Sequence, residues 1–280
     1  MYVYQNGVIK KKEDAALSID DRGYTFGEGI YEVVRVYGGR VFTLADHWQR
    51  LKRSADEMEI LLPDYFTRKH CMETISQLVE KNNQPESWVY LQVTRGVQFR
   101  SHGFLDNMTP MITMYLIPAG SWEKERQGVK VSLAEDIRWH RCDVKSTMLM
   151  ANTLMKTRAA REGYFEVIFE REGFITEGSA SNVFFVKEGE LITPPLSNYI
   201  LPGITRSYIM QLAGRLSLKC IERPVKVAEL PTMDEIFVTA TGIEAIPVSA
   251  VGQLDYRSPG PVYTQLMDEF NQDIEKLKWL

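Results

Sequence analysis

The spacing of apolar and polar positions changes several times along the chain, and each change marks a predicted element. Residues 1–5 and 8–10 alternate around Asn6-Gly7, a dipeptide that favours the tight turn of a β-hairpin. Three glycines in IDDRGYTFGEG, residues 19–29, predict a tightly turned loop rather than regular structure. Residues 30–37 are rich in β-branched and aromatic side chains and read as a strand, which Gly38-Gly39 turns back into a second strand at 40–44. Helices are predicted over 46–60 and 65–82, separated by Leu62-Pro63. Strand-like runs at 87–95 and 110–117 flank a polar loop, 96–109. Strands with helices to one side make residues 1–119 an α+β domain.

The pattern breaks at 118–127, where Pro, Gly and Ser give way to a charged run with no apolar period. Residues 120–127 are therefore expected to link the first domain to a second, 128–280. In the second, strands are predicted at 129–133, 166–169, 181–186, 190–193, 236–239 and 245–251, and helices at 147–161, 203–217 and 262–277. Short strands with few helices are closer to a barrel or an α+β domain than to alternating βαβ units. The expected fold class is α+β in two domains.

Composition narrows the function. With 44% hydrophobic and 25% charged residues, the 280-residue chain has the balance of an ordinary soluble protein with a sizeable core. A net charge of −4 gives no general electrostatic case for nucleic acid or an anionic membrane. No apolar run reaches the roughly 18 residues of a spanning helix, and MYVYQNGVIKKK lacks the layout of a signal peptide. Cys71, Cys142 and Cys220 are far apart with no CxxC, which suits a reducing cytoplasm and argues against disulfides or a Cys-rich zinc site. Four scattered histidines add no metal constellation, so no catalytic metal is expected.

Candidate chemistry gathers in five stretches. DIRWHRCDVKS, residues 136–146, holds two carboxylates, two arginines, a Trp, a His and one Lys just before a helical pattern. Lys145 there is either a surface lysine or an amine able to form a Schiff base, activated by burial or by a neighbouring cation such as Arg141. In TEGSASN, Glu177 is a solvated loop acid or a carboxylate facing a partner cation. In LPGITR, Gly203 precedes a helix whose first N–H groups belong to Ile204 and Thr205, which is an ordinary helix start or a phosphate site. In FVTATG, Thr239 and Thr241 share a face of an extended chain, as strand residues or as a second phosphate arm. In RSH, Arg100 and His102 belong to a polar loop or form a fork and donor for a carboxylate.

Taken in order, these stretches resemble the fold-type-IV pyridoxal-phosphate enzymes of the class IV aminotransferase family, nearest its D-amino-acid transaminases. The resemblance runs through DRGYTFGEGIYE (21–32), HWQRL (47–51), QVTRG (92–96) and 136–146, and on through 176–184, 203–206 and 234–241. It implies a smaller N-terminal domain and a larger, barrel-like C-terminal domain that binds pyridoxal 5'-phosphate (PLP). It also implies that Lys145 is the Schiff-base lysine and proton carrier, and that Glu177 keeps the pyridine nitrogen protonated so that the ring is an electron sink. Arg50, Ile204, Thr205 and Thr241 match phosphate-binding positions, Leu201 an apolar residue against the ring, and Tyr31 a tyrosine beside the Schiff base and substrate carboxylate.

Arg100 and His102 match a carboxylate trap that reaches in from a partner subunit, which implies a homodimer acting on D-amino acids and α-keto acids in the cytoplasm. Alternatives are a branched-chain L-amino-acid transaminase or aminodeoxychorismate lyase of the same fold, and a non-catalytic PLP-binding module. Ala240 and Ala180 stand where the family has hydroxyls, and Arg35 where it has a lysine. His47 is expected to orient or pack near Arg50, Trp139 to be buried, and Cys142 to be an inert packed thiol.

Overall fold

The computed structural model describes residues 1–279, and the alternation read from the sequence becomes its first sheet. The chain forms two units, Met1–Gly120 with Val144–Met148, and Ser121–Asp143 with Leu149–Lys276. The first contains β1 (Tyr2–Gln5), β2 (Val8–Lys11), α1 (Arg22–Phe26), β3 (Gly29–Tyr37), β4 (Arg40–Val41), α2 (Leu44–Glu57), α3 (Arg68–Asn82), β5 (Ser87–Thr94) and β6 (Met111–Pro118). Its six strands pair in the order β2-β1-β6-β5-β3-β4. Asn6 and Gly7 have φ of 42° and 88°, the left-handed pair that a two-residue hairpin turn requires.

Along β3, Ile30, Glu32, Val34 and Val36 are buried while Tyr31, Val33 and Arg35 lie half-buried on the other face. The buried face packs with Leu51 and Ala55 of α2 and Ile75 and Leu78 of α3. Each such aliphatic side chain contributes roughly 1.5–3 kcal/mol on burial. A lone acid on that face, Glu32, stands out.

Two expectations change here. The stretch 19–29 is not all loop: Asp21 accepts the Gly23 N–H at 2.8 Å and starts α1, and Gly27 at φ 71° ends it. Capping signals, rather than apolar spacing, make this short helix. The strand at 40–44 stops at Val41, because Thr43 at φ 49° turns the chain into α2.

The second unit contains β7 (Val129–Glu135), α4 (Met150–Arg161), β8 (Glu166–Arg171), β9 (Phe174–Gly178), β10 (Asn182–Lys187), β11 (Glu190–Thr193), α5 (Ile204–Arg215), β12 (Cys220–Glu222), β13 (Glu235–Ala240), β14 (Glu244–Val251), β15 (Leu254–Asp255) and α6 (Pro261–Trp279). Its nine strands follow the order β12-β11-β10-β13-β14-β7-β8-β9, with β15 on β14. β9, at one end of that order, is joined to β10, third from the other end, by a turn of three residues. Across it Gly178 N–H donates to the Ser181 carbonyl at 2.7 Å, so the sheet curls on itself. The interior of this half-barrel is apolar, with Val131, Ile168, Val183, Phe185, Val238 and Ile246 in one cluster. On the other face Phe184 and Phe237 stack at 5.1 Å, and Tyr263 of α6 packs against Phe237. Burial on both faces explains why β10 and β13 are continuous apolar runs.

β9 was not anticipated, because Thr176 and Glu177 interrupt its apolar period. The helix predicted from 147 begins at Met150, since the residues before it are tied to β3. No helix among the described residues is long and apolar enough to cross a membrane.

Candidate active site

β4 pairs only with the last two residues of β3, and residues 145–147 meet its first half. Tyr31 N–H donates to the Lys145 carbonyl at 3.0 Å, and Thr147 N–H to the Gly29 carbonyl at 2.8 Å. The Thr147 hydroxyl donates to the Gly27 carbonyl at 2.9 Å, and Lys145 N–H to Ser54 Oγ of α2 at 3.3 Å. A Cβ on Gly29 would stand 2.9 Å from Thr147 Oγ1, so glycine lets the segments approach. With its backbone pinned this way, Lys145 lays its ammonium 4.3 Å from the Tyr31 ring centroid, and Tyr31 stacks on Tyr90 at 5.7 Å. Structure thus joins two residues predicted for the site, Lys145 and Tyr31.

Arg50 lies on α2, facing Glu32. Its Nε and Nη2 donate to the two Glu32 oxygens at 2.7 and 2.8 Å, and His47 Nδ1 lies 2.7 Å from Oε2. Burial alone would raise the Glu32 carboxyl, but Arg50 and then His47 outweigh it and hold it at about 2. Burial also lowers the His47 imidazole; Arg50 and Lys145 add to that, and Glu32 opposes them. His47 therefore orients near Arg50, as its position in the sequence implied.

Arg100 and His102 sit in the exposed loop between β5 and β6. The Arg100 guanidinium lies 5.1 Å and the His102 ring 5.7 Å from the Phe26 ring centroid, so both turn to one aromatic side chain. Arg35 donates to Glu86 at 2.8 Å and lies 4.3 Å over the Tyr37 ring.

In the second unit Glu177 is fully enclosed at the end of β9. Arg138 Nη1 donates to Oε1 at 2.6 Å, and Asn182 Nδ2 and the Leu201 N–H donate to Oε2 at 2.9 and 3.0 Å. Arg138 is shared: its Nε and Nη2 each donate to Asp136 at 2.9 Å. Burial therefore dominates, and it pushes the Glu177 carboxyl up to about 7 against the pull of Arg138, with Asp136 adding to the rise. Arg141, the cation first considered for Lys145, pairs instead with Asp143 at 3.0 Å. Cys142 is buried, its thiol pushed up to about 12 by burial, so it is not a reactive thiolate.

The start of α5 carries the phosphate candidates Ile204 and Thr205. No side chain caps it, and a Cβ on Gly203 would stand 1.9 Å from Asn182 Oδ1. Uncapped N–H groups and the positive end of the helix dipole suit a phosphate. Thr239 Oγ1 on β13 is buried with no hydrogen-bond partner among the described residues, and Thr241 directly follows that strand. A lysine, a carboxylate of raised pKa, uncapped amides and an orphan hydroxyl fit the chemistry of PLP. Among the described residues, no group of His, Cys, Asp and Glu is placed to hold a metal.

Four residues of this geometry escaped the sequence reading: Glu32, Asp136, Arg138 and Asn182. Two left a signal. Glu32 is an acid at an inward position between Ile30 and Val34, and Asp136 and Arg138 are two apart in extended chain with the exposed Ile137 between them.

Residues 29–251 match the amino-transferase class IV family. The chain is 41% identical over 265 residues to a D-alanine aminotransferase of Bacillus licheniformis, covering 94% of this chain and 93% of the relative. It is 37% identical over 282 residues to one of Listeria monocytogenes, covering 99% and 97%. Among solved structures, a branched-chain aminotransferase of Thermoproteus uzoniensis with norvaline matches at a TM-score of 0.90 and 26% identity, covering 99% and 95%.

Proposed function

The chain belongs to the class IV amino-transferases, and we infer that it is a PLP-dependent transaminase moving the amino group of D-amino acids to α-keto acids. The observation that carries this reading is Glu177, a buried carboxylate with a pKa near 7, fixed on three donors and suited to a ring N–H. Relatives at 41% and 37% identity are D-alanine aminotransferases, whereas the branched-chain neighbour is only 26% identical, which supports the D-amino-acid reading over its L-acting alternative.

When bound, PLP supplies a carbonyl that takes up the amino group and a ring that accepts the electron pair left at Cα. The Lys145 amine would hold the cofactor covalently before substrate arrives and, once displaced by the substrate amine, would be free to carry the proton from and back to Cα. Glu177 holds the ring N–H, and the desolvation that raises its pKa is offset once it faces that cation. Arg50, Ile204, Thr205 and Thr241 would hold the phosphate, and Leu201 would offer the ring an apolar side chain. Glu32 fixes the guanidinium of Arg50 through two of its nitrogens.

Tyr31, Arg100 and His102 receive the substrate carboxylate. Arg100 and His102 serve the partner subunit of a homodimer, a role supported by the exposed apolar side chains of Val97, Phe99 and Leu105 beside them. The enzyme works in the cytoplasm, where its three cysteines stay reduced.

Steady-state kinetics of Arg100→Ala test the carboxylate assignment. KM for D-alanine should rise about 10-fold or more, as expected for a lost charge-assisted pair; an unchanged KM would remove the trap. Lys145→Ala should lose about 10⁴-fold or more in turnover, because one residue serves as both anchor and proton carrier.

A further inference from the structure

We propose that Phe26, backed by Arg22, is a positioning residue that sets the Arg100 guanidinium and the His102 ring as a pair for the substrate carboxylate. The inference rests on the carboxylate role of Arg100 and His102 given above.

Three arginines gather here, and they are held differently. Arg22 is wholly buried; its Nε and Nη2 donate to Glu28 at 2.9 and 2.6 Å. Arg95 donates to the same carboxylate at 2.5 Å and to the carbonyls of Glu59 and Met58 at 2.7 and 2.6 Å. Burial pushes the Glu28 carboxyl up, but the two guanidiniums outweigh it and hold it below its ordinary value. Arg100 has no carboxylate and no hydrogen-bond partner among the described residues; its guanidinium lies over the Phe26 ring, 5.1 Å from the centroid. A ring attracts a guanidinium through its quadrupole and uses none of its N–H donors. A cation held this way is placed and still has its donor fork available for a carboxylate. The His102 side chain is in the same condition, edge-on to Phe26 at 5.7 Å and 72°.

The loop itself is fixed from behind. Arg22 Nη1 donates to the Ser101 carbonyl at 2.7 Å and Nη2 to the His102 carbonyl at 3.1 Å. Gly96 closes the neck, where a Cβ would meet the Thr109 carbonyl oxygen at 2.0 Å, and Gln98 ties Gly103 and Leu105 across the loop at 3.0 Å each. Arg95 lies 3.6 Å over the Phe104 ring. The backbone on either side of the two side chains is therefore set by Arg22, and the side chains themselves by Phe26, which also lies 4.5 Å from the Arg22 guanidinium.

Steady-state kinetics of the holoenzyme, with D-alanine varied at saturating 2-oxoglutarate, separate this role from simple packing. Phe26→Leu keeps apolar bulk and removes the ring; KM should rise about 10-fold with kcat within about 2-fold, and Phe26→Tyr should restore KM. Arg22→Lys keeps the charge on Glu28 and loses the fork to both carbonyls, so it too should raise KM. An unchanged KM in both Phe26→Leu and Arg22→Lys, while Arg100→Ala raises it, overturns the proposal and leaves the carboxylate reading intact. Failure of Phe26→Tyr to restore KM, or a fall in kcat and thermal stability without a KM change, overturns it as well. An unchanged KM in Arg100→Ala would instead remove the reading on which the proposal rests.

Discussion

Glu32 in the first unit and Glu177 in the second are both buried carboxylates on an arginine, yet one is held at about 2 and the other near 7. Glu32 takes two nitrogens of Arg50 and has His47 as a further partner. Glu177 takes one nitrogen of Arg138, because Asp136 takes two others and adds its own negative charge. Both are buried, and the division of the cation separates them. A carboxylate that takes two nitrogens of its arginine and a histidine besides is a permanent anion that fixes other groups. One that shares its arginine keeps its proton until a further cation arrives, which is the property a ring N–H requires.

The largest test of this contrast removes the permanent anion. Glu32→Gln removes the buried carboxylate that Arg50 and His47 share and should cost about 3–5 kcal/mol in denaturant unfolding. A loss below about 1 kcal/mol would mean that Glu32 is not the keystone of its cluster.

Next comes the pH dependence of thermal stability in the cofactor-free protein. Glu177 holds its proton in the folded state from 4.5 up to about 7, so its contribution is full below 4.5 and is lost as pH rises through about 7. At 1.36 kcal/mol per pH unit the change is about 3 kcal/mol. Glu32 acts in the opposite sense: its contribution is present above 4.5 and is lost as pH falls towards about 2. Glu177→Gln should erase the first slope and keep the second.

A subtler change redistributes the cation. Asp136→Asn hands Arg138 to Glu177 and should lower the midpoint of the neutral-side stability slope by about 1–2 pH units. An unmoved midpoint would show that Asp136 does not compete for Arg138. Glu177→Gln at pH 5 should cost about 1–3 kcal/mol by urea unfolding: the amide is as neutral as the protonated carboxyl, but its Nε2 cannot accept and leaves a buried donor unpaired.

Strand alternation and the Asn6-Gly7 turn placed the first sheet, because one face of β3 and β5 is buried and the other is not. Short runs of unusual composition singled out Lys145 and Glu177 as candidates, and only the resemblance across several stretches in order gave them roles. The partners were harder to see. Arg138 becomes the relevant arginine of its stretch, in place of Arg141, only when β9 brings Glu177 up to it, and that is a contact across 39 positions. β9 itself was hidden because the polar residues that do the work break its apolar period. Phe26 gave no signal at all: its neighbours in space, Arg100 and His102, are supplied by a distant loop.

The central claim is tested most directly by one half-reaction followed by absorbance. The PLP-loaded protein is mixed with D-alanine or L-alanine, without keto acid, and the visible band of the bound cofactor is recorded while pyruvate is assayed. The account predicts loss of the band with D-alanine alone, with pyruvate appearing in step. Loss of the band with L-alanine instead would contradict the D-amino-acid assignment, and an unchanged band with either enantiomer would contradict transamination itself.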